Sequence, residues 1–298
     1  MFADLQRDAG GVNLLLHNRE PASVEHQTVI RLNRDTLYSF AIIDVSGGAV
    51  LTVPESGNRY VSAMVVDQDH YVERIFHDPG EYRLTRDEFR TPYLAVAVRI
   101  LVDPTDADDV REVVALQDRF GLTAESSTPF VSPDYDRKSM DETRDALLAL
   151  ARGLTGFERM FGARDHVDPV RHLIGTAAGW GGLPTEEAVY VGVEPGLPVG
   201  EYELTVRDVP VDGFWSISVY NAAGFFEPNE NNAYTVNNIT GVPNADGSIT
   251  VRFGGCADPS RDNCIPVIEG WNYLVRLYRP RAEILDGRWT FPAITAST

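Results

Sequence analysis

The chain has 298 residues, 43% hydrophobic and 23% charged, with a formal net charge of -18. That length buries a sizeable core in one large domain or two. The acidic balance excludes nucleic acid, whose phosphates need a basic surface, and disfavours anionic membranes. No run of about 18 apolar residues offers a transmembrane helix. The opening MFADLQRDAGG carries acids early and has no apolar h-region, so no signal peptide is read and a cytoplasmic location is expected.

Residues 1–103 read as strands. SFAIIDV and AVLTVPE flank Gly47 and Gly48, a hairpin signal. RYVSAMVVDQDHYVERIF alternates as one continuous strand, and HDPGEYRLT supplies a turn and a short strand. In YLAVAVRILVD, Leu94, Val96, Val98, Ile100 and Val102 share one face, while Ala95, Ala97, Arg99 and Leu101 share the other. Alanines beside an arginine leave room rather than fill it, which suggests a cavity wall.

Residues 104–185 read as a helical connection. In DPTDADDVREVVALQDRFGL, Asp106, Asp108 and Asp109 crowd a helix N-terminus, where the dipole favours negative charge. Val110, Val113, Val114 and Gln117 form its stripe. A second helix, SMDETRDALLALARGLTGFERMF, opens with Ser139 and Glu142 spaced as a capping box. TAESSTPFVSPDY is a Ser- and Pro-rich linker, and the glycines of GTAAGWGGLP, residues 175–184, predict a loop.

From residue 186 to 298 the strand pattern returns in AVYVGVE, YELTVRD, FWSISVYN, YTVNNIT, SITVRFGG and NYLVRLYRP. The expected fold is therefore mainly β, with two antiparallel β-sandwich, jelly-roll-like regions joined by a helical segment.

LNRDTLYSFAIIDVS followed by VPESGNRYVSAMVVD resembles the signature of proteins carrying a DUF1254 domain. DGFWSISVYNAAGFFEPNENNAYTVNN, DGSITVRF, LVRLYRP and ILDGRWTFPAI resemble the partner DUF1214 domain. The motifs stand in the expected order over most of the chain; residues 121–185 match least. The resemblance implies two β-sandwich regions with helical connections and no agreed activity. A common Asn-Trp-Leu-Pro of the family is Asn263-Cys264-Ile265-Pro266 here, and many relatives look exported, unlike this N-terminus.

Several chemistries lack their motifs: no G-x-S-x-G elbow, P-loop, G-x-G-x-x-G or H-E-x-x-H occurs. The best candidate is LNRDTLYSF, where Asn33, Arg34 and Asp35 stand at the mouth of an apolar strand. They form either a polar strand entry held by an internal ion pair or one wall of a cleft with Tyr38, Arg99 and His70. In the second reading Asp35 fixes an arginine, and Asn33, Arg34, Arg99 and Arg276 bind substrate. His70, Tyr38 and Asp35 then do the catalytic work.

Arg99 and Arg276 lie inside apolar strands, and a buried guanidinium needs a carboxylate or an anionic ligand. Alternation along one straight strand sets Asp67, Asp69 and Glu73 opposite His70, so no metal is expected there unless a bulge intervenes; no cofactor is expected either. Asn229, Asn231, Asn232 and Tyr234 suit either a polar ligand or a turn. Cys256 and Cys264 are spaced for a local disulfide, but the missing signal peptide favours reduced thiols.

The expectation is an enzyme, hydrolysis being one candidate reaction, acting on a small molecule in a polar cleft between the β regions. The alternatives are a non-catalytic small-ligand or carbohydrate-binding protein, or an assembly module. Homo-oligomerisation is left open.

Overall fold

The computed structural model describes residues 1–27, 29–154, 156–258 and 260–297. Its chain divides into two units. The first comprises Met1–Arg19, Leu37–Val102 and Ala107–Thr185; the second comprises Glu20–Thr36, Asp103–Asp106 and Glu186–Thr298.

The first unit holds α1 (Phe2–Ala9), β1 (Leu16–His17), β2 (Thr36–Asp44, whose first residue counts with the second unit) and β3 (Ala49–Val53). β4 (Val61–Asp67), β5 (Val72–Phe76), β6 (Gly80–Leu84), α2 (Arg86–Phe89) and β7 (Tyr93–Leu101) follow. After these come α3 (Ala107–Gln117), β8 (Gly121–Ala124), α4 (Arg137–Ala151) and α5 (Pro169–Ala178). A five-stranded sheet of order β1-β2-β7-β4-β5 faces a three-stranded sheet of order β6-β3-β8. Ala41 and Ile43 of β2 and Val96, Val98 and Ile100 of β7 bury against Leu51 and Val53 of β3 and Leu84 of β6. Each large aliphatic side chain buried there contributes about 1.5–3 kcal/mol.

Four local expectations change. The glycine pair at 47–48 does not close a hairpin, because β2 and β3 belong to different sheets; it is the corner at which the chain switches sheets. The alternating segment from Arg59 to Phe76 is two strands, not one. Asp67 accepts the backbone N–H groups of Asp69 (2.9 Å) and Tyr71 (2.8 Å), which forms a turn between β4 and β5. The face-alternation argument about Asp67, Asp69, His70 and Glu73 therefore does not apply.

The helix expected to open at Ser139 is capped by Asp136, whose carboxylate accepts from the N–H groups of Lys138 and Ser139, and it ends at Ala151. The predicted 175–184 loop begins inside a helix, since α5 runs to Ala178. Gly175 is there for contact, not for a turn: a Cβ at that position would stand 2.9 Å from Met160 Cβ.

The second unit holds β9 (Ala188–Val193), β10 (Tyr202–Val206), β11 (Trp215–Tyr220), β12 (Thr235–Asn237) and β13 (Ile249–Phe253). It ends with β14 (Cys264–Ile265), β15 (Asn272–Tyr278), α6 (Ala282–Leu285) and β16 (Thr295–Ala296). Two four-stranded sheets, β14-β13-β10-β16 and β12-β11-β15-β9, bury Leu204, Val251 and Phe253 against Ile217, Val275 and Leu277. The fold is thus mainly β with antiparallel sheets. One pair, β13 with β14, is parallel, and jelly-roll connectivity is not among the features these strand orders bear out. Beside β14, Cys256 and Cys264 are joined in a disulfide with Cα atoms 5.5 Å apart, which corrects the expectation of free thiols.

The period of two along β11 and β15 sorts their side chains cleanly. Trp215, Ile217, Val219, Tyr273, Val275 and Leu277 enter the sandwich core. Ser216, Ser218, Tyr220, Asn272, Leu274, Arg276 and Tyr278 alternate with them and therefore share the other face, where all are buried too. That second face is mostly polar, and the segment Glu20–Thr36 of the same unit packs there. Among the described residues, no helix is long and apolar enough to cross a membrane.

Candidate functional site

The candidate residues fall into two groups, one in each unit. In the second unit, Asp35 is fully buried, and its Oδ1 accepts from Thr235 Oγ1 and Asn237 Nδ2, each at 3.0 Å. Thr235 Oγ1 accepts from Ser218 Oγ (3.3 Å), which in turn accepts from Arg276 (2.8 Å). The same guanidinium donates to Tyr220 Oη and to the carbonyls of Arg31 and Leu32. Burial alone would lower the Arg276 pKa; Tyr220, Tyr278 and Asp35 outweigh it and hold the group above its ordinary value.

Asn33 accepts the Asp35 N–H (2.9 Å) and donates to Thr36 Oγ1 and Tyr278 Oη, each at 3.2 Å. Arg34 turns elsewhere, donating to the Ala22 carbonyl with its guanidinium 5.3 Å from the centre of the Tyr234 ring. Asp35 therefore pairs directly with neither Arg34 nor Arg276; its link to Arg276 runs through two hydroxyls. Its Oδ2 and the nearby Ser216 Oγ have no hydrogen-bond partner among the described residues. Most of this network ties the 20–36 segment onto the polar sheet face.

In the first unit, Tyr38, His70 and Arg99 cluster around the turn at Gly181. Arg99 donates to the Gly181 carbonyl (3.1 Å) and lies 5.6 Å from the centre of the Tyr38 ring, a cation–π contact. Its guanidinium also lies 4.0 Å from Met64 Sδ, and Ala95 and Ala97 are buried. His70 occupies the turn after β4 with φ +70°. Thr176 Oγ1 spends its proton on the His172 carbonyl (2.8 Å), so it accepts from His70 Nδ1–H at 2.8 Å. Nε2 of His70 then accepts the Gly181 N–H at 2.7 Å.

Both ring nitrogens are thus committed. Burial, with a smaller effect of His172, lowers the His70 pKa to about 4. The ring belongs to an aromatic column in which Trp180 lies 5.3 Å away and His172 5.6 Å away, with Tyr71 stacked on His172 at 4.3 Å.

Thr176 also faces outward, onto an open groove of about 500 Å³ between α4 and α5. Met140 and Leu147 of α4 and Leu173 and Ala177 of α5 supply its apolar walls. Asp136, Ser139, Thr143, Arg144 and Thr176 add polar groups. The 15-residue helix α4 has no fully buried residue, and Leu173 is 55% exposed. Helix α4 thus directs its apolar side chains at this space instead of at a core, whereas α5 buries Ile174 and leaves Leu173 facing the groove.

Two family models match the chain: "Protein of unknown function (DUF1254)" over residues 12–81 and "Protein of unknown function (DUF1214)" over residues 198–282. The chain belongs to the DUF1254/DUF1214 family. Its fold is similar to the crystal structure of the VPA0106 protein of Vibrio parahaemolyticus, with a TM-score of 0.72, 19% identity and 90% of each chain covered. It is also similar to that of an uncharacterised protein from Burkholderia cenocepacia, with a TM-score of 0.55 and 14% identity over 94% of this chain and 81% of that one. No curated protein matches the sequence.

Within this DUF1254/DUF1214 chain, the matched spans hold Asn33, Arg34, Asp35, Tyr38, His70 and Arg276. Arg99 and the groove helices lie outside both. Asn229 and Asn232 perform turn chemistry: Asn229 Oδ1 accepts the Ala233 N–H (3.1 Å), its Nδ2 donates to the Ala233 carbonyl (3.0 Å), and its carbonyl accepts the Asn232 N–H (3.1 Å), while Asn231 Nδ2 donates to the Cys256 carbonyl at 3.0 Å. The sequence reading missed α5, and with it Thr176 and His172. Its start was nevertheless written in HVDPVRH, where Asp168 caps the helix and Pro169 takes the first position. Among the described residues, no group of three or more His, Cys, Asp or Glu is placed to hold a metal ion.

Proposed function

We propose that the chain is a non-catalytic small-ligand-binding protein whose ligand lies in the groove between α4 and α5. The observation that carries this reading is the groove itself. Its volume, about 500 Å³, falls in the range of small-molecule sites, and it combines apolar walls with a few polar groups. Leaving Leu173 and Met140 in water forgoes burial worth about 25 cal/mol per Å² of apolar surface, which a seated ligand would recover. Catalysis by His70 would need a free ring lone pair near pH 7, whereas its Nε2 already accepts from Gly181.

Titration with the neutral fluorophore N-phenyl-1-naphthylamine tests the reading. Saturable one-to-one binding is expected, with affinity falling at least tenfold in Leu173→Asp, an exposed position whose change leaves the fold intact. Absence of saturable binding, or binding indifferent to Leu173→Asp, would refute it.

We also infer residence in an oxidising compartment, because the Cys256–Cys264 disulfide persists only where thiols are not kept reduced. Intact mass spectrometry of protein taken from its native cells should find the two cysteines two hydrogens lighter than the reduced form. The reduced mass would contradict this.

A further inference from the structure

We propose that the groove selects an amphiphilic monoanion, with Arg144 gripping the acid group and the walls of Leu147 and Leu173 taking the apolar body. This rests on the ligand-binding reading of the groove. Arg144 lines the space from α4, and its Nε donates to the Ala177 carbonyl near the end of α5 at 3.4 Å. That bond leaves both terminal amino groups without a partner among the described residues, and no carboxylate pairs with the side chain there.

In a chain carrying 44 acidic residues against 26 basic ones, such a cation beside an apolar groove is informative. The acid that also lines the groove, Asp136, has its carboxylate engaged by the N–H groups of Lys138 and Ser139 at the start of α4. Among the described residues no ion pair joins it to Arg144. Two adjacent guanidinium amino groups match the two oxygens of a carboxylate, a geometry that a lysine or a hydroxyl would not reproduce. Thr143 and Thr176 line the same space but donate their hydroxyl protons to the Ser139 and His172 carbonyls, which leaves the guanidinium as the group that grips the acid.

The test is displacement of N-phenyl-1-naphthylamine by decanoate and, in parallel, by decanol, using the full chain and Arg144→Gln. The two competitors share an apolar chain and differ in the head group. Decanoate should displace the probe about tenfold more tightly than decanol, and Arg144→Gln should abolish that difference. The quantity compared is the decanoate-to-decanol ratio within each protein, so a change in probe affinity in the variant cancels. Added salt should weaken decanoate alone.

If the probe binds but the two competitors are equivalent, or their difference survives in Arg144→Gln, the anion-selecting role is wrong and the groove reading stands. If the probe does not bind at all, both fall. Circular dichroism of Arg144→Gln should match the parent chain, so a loss of acid preference cannot be assigned to unfolding.

Discussion

Asp35 illustrates how a buried charge is carried by neutral neighbours. Its carboxylate rests on Thr235 and Asn237, and Arg276 is reached through Ser218 and Thr235. Asp35→Ala strips that network of its anion and should cost on the order of 3 kcal/mol in urea unfolding. Asp35→Asn keeps one acceptor and should cost less. Equal costs would show that the hydrogen bonds to Oδ1 do not matter. His70 makes a pH prediction with a defined sign. Its folded pKa is lowered to about 4 by burial and His172, so above pH 6.5 both states are neutral and the full stability is present.

As pH falls from 6.5 to 4 the unfolded chain takes up a proton that the folded chain refuses, and stability drops by about 3 kcal/mol. Asp67 works oppositely: burial raises its pKa, so acidification favours its folded state. The difference between the parent chain and His70→Asn isolates the histidine. That difference should shrink from pH 7 to pH 4, and a flat difference would contradict the buried neutral ring. Neither role was legible in the sequence. LNRDTLYSF and DQDHYV mark unusual polarity, but only the fold reveals which neighbours satisfy it.

At the scale of elements, strands were legible and their partners were not. Alternation in β7 assigned faces correctly, because the two-residue period is local. The corner at Gly47 and Gly48 looked like a hairpin because the turn chemistry is the same whether the chain stays in its sheet or leaves it. The helix α5 was obscured by glycines read as breakers. Gly175 instead admits close approach of Met160. Gly175→Ala gains helix propensity of up to about 1 kcal/mol. The new Cβ, 2.9 Å from Met160 Cβ, overpacks the site by about 1–3 kcal/mol. Net destabilisation is expected in chemical denaturation, and a stabilised variant would mean that the α5 contact is loose.

For the whole molecule, the sequence supplied the mainly β class and the family, whereas the groove depends on where α4 and α5 meet, in the stretch that resembled relatives least. The disulfide closes a short loop, and Cys256→Ser with Cys264→Ser should lower stability by about 2–3 kcal/mol relative to the oxidised chain. Thermal unfolding with and without reductant measures this, and identical curves would mean that the bridge contributes nothing. The central claim is that a small amphiphile sits between α4 and α5. Photoaffinity labelling with a diazirine-bearing fatty acid, followed by peptide mass spectrometry, tests it most directly. The account predicts labels confined to the helix faces around residues 135–147 and 173–177, competed away by decanoate. Labels spread over the surface, or concentrated on the β strands, would contradict it.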